Sequence, residues 1–214
     1  MKHEWKKLEK EIYLPKEKPT LVQIPAYKYY TLEGKGNPND EAFATAVQAL
    51  YAVSYGIKMM PKRGINPEGY FDYTVYPLEG IWKVGGPEKN RLNNDRAIEL
   101  MDLEYKIMIR QPDFVTEELA LKTIKEISTK KPNINNDRLK FEILEDGLSV
   151  QLLHKGAYAN EYQSFALIDK FCVENELSRV SRSHREIYLS DPRRVTEDKY
   201  KTTLRVAVQP TITE

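Results

Sequence analysis

An α+β fold, with antiparallel strands and helices packed on one face, is the fold class that the sequence of 214 residues predicts. Several segments alternate apolar and polar residues at the period of a half-buried strand. Capped segments with helical periodicity separate them. The order of elements in the first part of the chain recurs in the second. Together these observations predict one duplicated domain over residues 1–214.

The first half of this domain is expected to span about residues 16–115, after a helical extension over residues 1–15. The turn Asn37-Pro-Asn-Asp40 offers an N-cap for a long helix, on which Phe43, Val47, Tyr51 and Tyr55 recur every four residues. Strands are predicted at 20–24, 27–32, 70–75, 78–84 and 103–110, with helices at 41–60 and 94–100.

The second half is expected to span about residues 137–210, after a linker over 130–137. Val22–Tyr30 aligns without a gap with Val150–Tyr158 and matches at Val, Gln and the last Tyr, which supports a duplication. A helix is predicted at 116–129 before the linker. Strands at 139–144, 148–153, 185–189 and 203–208 and a helix at 161–175 are predicted after it.

Composition excludes several classes of function. There are 33 Lys and Arg residues against 32 Asp and Glu, so the net charge of +1 gives no reason to expect nucleic acid or an anionic membrane as partner. One cysteine, Cys172, excludes an intrachain disulfide, and three scattered histidines do not suggest a metal site. We therefore expect no metal and no cofactor. Without an apolar run of about 18 residues or a signal peptide, a cytoplasmic protein is expected.

The segment Ser183–Arg194 holds the strongest candidate site. On a strand, Glu186 and Tyr188 share one face, while Ile187 and Leu189 point the other way, toward a core. If the two halves pair their sheets, the faces not covered by helices can form a groove that receives Glu186 and Tyr188. The alternative is an ordinary solvent-facing strand in which Glu186 pairs with an arginine.

Aromatic residues supply further candidates. The chain has 14 tyrosines but 6 phenylalanines, a composition typical of wet pockets and interfaces. Tyr51 and Tyr55 lie one helical turn apart, and either pocket lining or helix packing explains them. Trp82 faces opposite to its neighbours in the predicted strand and offers a large stacking surface. Tyr105 and Cys172 are expected in the core, and His154 is expected to be structural.

The sequence resembles the stand-alone branch of the GyrI-like small-molecule-binding proteins along essentially its whole length. Four motifs carry the resemblance, in the family's order: Pro15-Lys-Glu-Lys-Pro19, Pro77-Leu-Glu-Gly-Ile-Trp82, Met108-Ile-Arg-Gln-Pro-Asp-Phe-Val115 and Glu186-Ile-Tyr-Leu-Ser-Asp-Pro-Arg-Arg194. Many relatives read Trp-Trp where this chain has Trp82-Lys83, and His-His-Glu where it has His184-Arg185-Glu186. Both departures keep Trp82 and Glu186 and change their neighbours.

The resemblance implies two βαββ-type halves related by a pseudo-twofold axis, with a ligand cleft between them. It implies that Glu186, among aromatic residues, binds hydrophobic, aromatic or cationic small molecules, in a role that would protect against foreign compounds. The alternative is similar to cyclopropanoid cyclopropyl hydrolases, which open the cyclopropane of DNA-alkylating natural products with water. Glu186 and Tyr188 would then be catalytic, and Trp82, Tyr51 and Tyr55 would hold the ligand. The oligomeric state stays open.

Overall fold

The computed structural model describes residues 2–84, 103–133 and 135–211. Its helices are α1 (Trp5–Leu8), α2 (Lys10–Tyr13), α3 (Glu41–Lys58), α4 (Glu117–Lys130) and α5 (Glu161–Glu174). Its strands are β1 (Thr20–Ile24), β2 (Tyr27–Lys35), β3 (Leu78–Val84), β4 (Leu103–Gln111), β5 (Lys140–Leu144), β6 (Gly147–Lys155), β7 (Leu177–Arg179), β8 (His184–Tyr188) and β9 (Lys201–Pro210).

One antiparallel sheet runs through the whole molecule, in the order β1-β6-β9-β8-β3-β4-β2-β5, with β7 paired to β9 beside this path. Strands β3 and β8 meet at its centre, with β4 and β2 following β3 on one side and β9 and β6 following β8 on the other. The α+β architecture predicted from the sequence is confirmed. The first strands of the halves are exchanged: β1 pairs with β6, and β5 pairs with β2.

The duplication has an offset of 120 residues. Strands β1 and β2 fall on β5 and β6 at this offset with identical bounds, and α3 and α5 both begin at the equivalent glutamates, Glu41 and Glu161. The alignment of Val22–Tyr30 with Val150–Tyr158 has an offset of 128 and is wrong. The three matches in nine residues arose there by chance. The offset of 120, in contrast, superposes whole strands of the two halves.

A glycine turn at the same place in both halves supports this correspondence. Gly36 and Gly156 follow the equivalent strands β2 and β6, with φ angles of +110° and +116°. Residues with a Cβ rarely adopt this backbone conformation, so glycine is needed where the chain leaves the sheet for the next helix. Both glycines are preceded by lysine, which makes Lys-Gly the clearest sequence trace of the duplication.

Helices α3 and α5 cover one face of the sheet, which we call the helix face. On it α3 packs against β2 and β4, and α5 packs against β6 and β9, while α4 packs against α3. Leu50, Val53 and Ile57 of α3 are completely buried, as are Leu152 and Ile168 in the second half. Cys172 is buried in the second core, as predicted. The two helices leave the centre of the sheet between them.

The N-terminal segment packs on the opposite face, which we call the back face. Within the helical extension predicted over residues 1–15, it forms two short helices that meet at Glu9. Glu9 accepts hydrogen bonds from Tyr76 and Arg110 of the body, and its side chain is mostly buried. A continuous helix is therefore replaced by a bend that brings this carboxylate onto the sheet.

The strand predicted at residues 70–75 is wrong. Only Tyr73 makes a β-bridge, with His3, and the remainder is irregular. Both edges of β3 are taken by β4 and β8, so the segment finds no free neighbour there. Its rings pack instead in an aromatic cluster of Tyr70, Phe71, Tyr73 and Phe114. The helix predicted at 94–100 lies outside the described residues.

Candidate functional site

Glu186 lies at the centre of the sheet, directly opposite Gly80 of the neighbouring strand. In the first half a row of paired residues runs Leu32, Ile107, Gly80, and in the second half the equivalent row runs Leu152, Leu204, Glu186. Gly80 and Glu186 are thus equivalent positions that pair with each other. The pseudo-twofold axis passes between them, and only one half supplies a carboxylate there.

A chain of hydrogen bonds leads from Trp82 to Glu186. The Trp82 indole Nε1 donates to the Tyr188 hydroxyl at 2.7 Å, and this hydroxyl donates to Glu186 Oε2, also at 2.7 Å. His184 Nε2 lies 3.0 Å from Glu186 Oε1. Two residues of the same strand face, His184 and Tyr188, therefore hold the Glu186 carboxylate, and Trp82 holds Tyr188. The Glu186 side chain is only 12 % exposed.

Gly80 allows Trp82 to reach Tyr188. A Cβ placed on Gly80 would lie 2.7 Å from the indole Nε1, so the ring occupies the space that any other side chain would fill. Phe43 of α3 and Tyr105 of β4 pack on the ring with centroid distances of 5.8 and 5.4 Å. Tyr105 is buried as predicted. The indole is thereby fixed beside Glu186.

Helix α5 brings a second carboxyl to the site. Glu161 is its first residue, is 7 % exposed and lies beside Glu186. Phe165, one turn along, packs edge-on against His184 at 4.7 Å. Before the helix, Tyr158 stacks on Tyr200 and meets Tyr188 at 90°. The carboxyl pair is thus enclosed by aromatic rings on the side of the second half.

The protonation of this pair follows from burial. Loss of hydration raises the pKa of Glu161 well above its usual range, and the negative charge of Glu186 raises it further. Burial and the same charge of Glu186 also raise the pKa of Tyr188 and of Tyr158. Glu161 therefore keeps its proton to a higher pH than an ordinary glutamic acid does, and the two tyrosines stay neutral at neutral pH.

Tyr51 and Tyr55 lie farther along the cleft. Their rings are 6.4 Å apart on α3, and the Tyr51 hydroxyl is hydrogen-bonded to the backbone of Leu78. Leu78 stands two residues from Gly80 on the same strand face, at the end where Tyr188 lies. Tyr51 is half-buried, whereas Tyr55 is 51 % exposed. The structure thus brings Glu186, Tyr188 and Trp82 into contact and places the two tyrosines at the rim.

The candidate cleft lies on the helix face, between α3 and α5. The sequence analysis expected the face that the helices leave uncovered, and this is wrong, because Phe165 and Glu161 of α5 contact His184 and Glu186. The back face is covered by the N-terminal segment, whose backbone accepts bonds from Gln151, Thr203 and Arg205. Helices spaced apart over the pseudo-twofold axis form the groove.

Buried charges on the back face hold β8 in place. Arg185, next to Glu186 in the chain, points the other way and donates to Glu79 and Asp146, and Arg205 also binds Asp146. Both arginines and Glu79 are almost fully buried. Breaking one partner of such a group costs several kcal/mol, about 3–5 in measured cases. This cluster therefore fixes the backbone on which Glu186 stands.

Sequence reasoning missed four residues of the site, namely Tyr158, Glu161, Phe165 and His184. The position of Glu161 could have been noticed from the sequence. It is an acidic residue at the start of a predicted helix, and at the offset of 120 it corresponds to Glu41. Phe165 and Tyr158 gave none, because their contacts join elements that are distant in the chain. His154, predicted to be structural, bonds Ser164 and the backbone of Ala157.

Within residues 2–84, 103–133 and 135–211, no group of three His, Cys, Asp or Glu side chains is arranged to hold a metal ion. Among the helices in those ranges, none combines the length and the apolar character that crossing a membrane requires.

Two solved structures from Listeria innocua resemble this chain along nearly its whole length. One, described as a hydrolase, is 34 % identical with a TM-score of 0.85 and covers 97 % of this chain and 100 % of its own. The other, described as an uncharacterized conserved protein, is 35 % identical with a TM-score of 0.86 and the same coverage. The EcmrR C-terminal domain, 13 % identical with a TM-score of 0.52 over 94 % of this chain and 99 % of its own, shares the fold.

The search among curated proteins found no match. The GyrI-like small-molecule-binding domain matches residues 96–209, which include Glu161, Tyr188 and Glu186. This match covers more than half of the chain, and the relatives of known structure extend it across both halves. The chain therefore belongs to the family of GyrI-like small-molecule-binding domains.

Proposed function

We propose that the cleft binds flat, cationic aromatic molecules and that Glu186 is their counter-ion. The observation that carries the proposal is a mostly buried carboxylate enclosed by Trp82, Tyr188, Tyr158 and Phe165. Membership in a small-molecule-binding family supports the assignment of a ligand to this chain. Protection against toxic foreign compounds is a role that suits such a site.

The chemistry of the cleft favours a cation over a neutral ligand. The Glu186 carboxylate is hydrogen-bonded to Tyr188 and His184, but the described contacts bring no lysine or arginine to it. A ligand cation would supply the missing opposite charge. Each aromatic face adds about 0.5–2 kcal/mol of cation–π attraction, more when water is excluded.

A matched pair of ligands tests this proposal. We expect 10-methylacridinium to bind wild type more tightly than neutral acridine at pH 8, and Glu186→Gln to lose about tenfold to hundredfold affinity for the cation only. Fluorescence titration measures both constants, and Glu41→Gln, at an exposed equivalent position, is the control. Equal loss for the cation and for neutral acridine would show that Glu186 shapes the cleft without acting through charge.

A second function is hydrolysis of electrophilic cyclopropanes. The relative described as a hydrolase supports it, as does the position of Glu186 beside Glu161, a carboxyl whose pKa burial raises. The water oxygen would bond to the cyclopropane CH2 while the ring C–C bond breaks. The electron pair of the broken C–C bond would move to the conjugated carbonyl oxygen. Glu186 would take the water proton. Tyr188 or Glu161 would donate a proton to the resulting phenolate.

Mass spectrometry separates hydrolysis from binding. With a duocarmycin-type cyclopropane, we expect wild type to form a ring-opened product that carries one added water, over many turnovers, and Glu186→Gln to slow this by about 10²–10⁴-fold. Product formation that saturates at one equivalent, or an unchanged rate in Glu186→Gln, would rule out the catalytic role. The binding proposal would survive either result.

A further inference from the structure

The Trp82 side chain is placed to donate a hydrogen bond, and little of its ring is left for a ligand. It is 5 % exposed, and Phe43 and Tyr105 pack on the ring. Its Nε1 occupies the space beside Gly80 and donates to the Tyr188 hydroxyl at 2.7 Å. An indole N–H can only donate, so the Tyr188 oxygen is the acceptor in this bond. Trp82 therefore acts on the cleft through one polar atom.

The bond from Trp82 decides where the Tyr188 proton points. A phenol hydroxyl has a single proton, and its oxygen already accepts from the indole. Among the described residues, the acceptor that this proton meets is Glu186 Oε2, at 2.7 Å. Thr202 pairs with Tyr188 on the neighbouring strand, but its buried hydroxyl makes no hydrogen bond, and Tyr158 meets Tyr188 ring to ring. The Tyr188 hydroxyl is therefore directed at the carboxylate.

The titratable groups around Glu186 make this bond important. His184 Nε2 lies 3.0 Å from Oε1, and Glu161 of α5 lies beside the carboxylate, with Tyr158 in the turn before that helix. Hydrogen bonds donated to a carboxylate favour its ionised form, whereas burial and a second carboxyl nearby disfavour it. Since no lysine or arginine meets Glu186 in the described contacts, its charge depends on bonds such as the one from Tyr188.

We propose that Trp82 is a positioning residue, which turns the Tyr188 hydroxyl toward Glu186 and so favours the ionised carboxylate that binds a cation. This inference rests on the proposed cation binding at Glu186. It gives Trp82 a role other than stacking on the ligand. Without the indole N–H, the Tyr188 hydroxyl can turn away and the carboxylate loses part of its stabilisation. On acidification, such a cleft releases its cation at a higher pH.

The pH dependence of cation binding tests this role. The probe is 10-methylacridinium, whose charge is fixed by N-methylation, and fluorescence titration measures its dissociation constant between about pH 4 and 8. The variants are Trp82→Phe, Tyr188→Phe and the double variant. Trp5→Phe is the matched control, because Trp5 is similarly buried and its Nε1 donates to the backbone of Val75, away from the cleft.

The quantity compared is the pH at which the affinity falls to half of its value at pH 8. We expect this pH to rise by about 0.5–1 unit in Trp82→Phe and by at least as much in Tyr188→Phe. The double variant should show the same rise as Tyr188→Phe alone, since Trp82 acts through that hydroxyl. Trp5→Phe should keep the wild-type value.

Two results would overturn the inference while cation binding stands. One is an equal loss of affinity at every pH in Trp82→Phe, which a ring that only packs would give. The other is a rise in the half-affinity pH that Trp82→Phe causes undiminished in the Tyr188→Phe background. A folded wild type that does not bind 10-methylacridinium would overturn the proposed function, and the inference with it.

Circular dichroism verifies that each variant folds. If Trp82→Phe does not fold, 3-benzothienylalanine at position 82 takes its place, because it keeps the bicyclic shape and has sulfur where the indole has N–H. The same shift in the half-affinity pH is expected, and its absence would overturn the inference.

Discussion

At the scale of single residues, Glu161 and Glu41 show how one residue type at equivalent positions acquires different chemistry. Both begin a helix on the helix face, at the offset of 120. Glu41 is exposed, whereas Glu161 is buried against Glu186. A carboxylate at a helix N-terminus gains up to about 1 kcal/mol when exposed, but the loss of hydration and a like charge outweigh that gain in the cleft.

This raised pKa predicts a pH-dependent stability. Below about pH 4 both the folded and the unfolded chain hold the Glu161 proton. As the pH rises, the unfolded chain releases the Glu161 proton before the folded chain does. The free energy of unfolding therefore falls with pH until the raised pKa of Glu161 in the folded chain is reached. We expect Glu161→Gln to gain stability relative to wild type between about pH 5 and 8, as measured by urea unfolding at each pH.

The comparison separates the Glu161–Glu186 pair from the other buried carboxyl groups. Burial also raises the pKa of Glu79, but both proteins share this carboxyl, so its effect cancels in the difference. Glu41→Gln should follow wild type at every pH. Parallel stability profiles of wild type and Glu161→Gln would show that the folded protein does not retain the proton on Glu161.

Trp82 and Tyr188 occupy equivalent positions across the pseudo-twofold axis, two residues beyond Gly80 and Glu186. The two side chains meet through the indole Nε1 and the phenol hydroxyl. The duplication therefore places two aromatic residues together above the axis. The two halves differ chemically at Gly80, because the absence of a side chain there lets the Trp82 indole fill the space beside a single carboxylate.

At the scale of elements, β8 carries the site and is held from both sides. On the helix face its residues bind Trp82 and α5, and on the back face Arg185 binds Glu79 and Asp146. The N-terminal segment covers this second set of charges and accepts a bond from Arg205. Five residues of strand thus receive support from both faces of the sheet, which keeps Glu186 fixed relative to Glu161.

At the scale of the whole molecule, the exchanged strands join the two halves into one folding unit. Strand β1 belongs to the first half but forms the edge beside β6, and β5 does the same beside β2. A half that is cut away loses one of its outer strands and also the central neighbour of β3 or β8. Each half keeps the strands against which its helix packs but loses the neighbouring strand on both sides of that part of the sheet.

Cleavage of the chain between the halves tests this interdependence. We expect fragments 1–132 and 133–214 to be largely unfolded alone and to regain a cooperative thermal transition when mixed. The cut falls after α4 and before β5, so it interrupts no helix or strand. Circular dichroism of each fragment and of the mixture measures this. A cooperative transition in either fragment alone would show that the halves are independent domains.

Much of the fold was predictable from local patterns. Strand alternation and helix caps give the observed positions of eight strands and of α3, α4 and α5 to within a few residues. Two errors share one cause. The strand at 70–75 and the groove on the uncovered face were inferred from local patterns, but a free sheet edge and the path of the N-terminal segment depend on packing between distant residues.

The sequence by itself determined the fold class, the two halves and the orientation of Glu186, Tyr188 and Trp82 on their strands, because alternation along a strand is a local property. Only the tertiary structure decided that these three meet, that Glu161 joins them and that the cleft lies between α3 and α5. Their contacts span more than 100 residues from Trp82 to Tyr188. The pKa of a carboxyl depends on burial and neighbouring charge, which no stretch of sequence specifies alone.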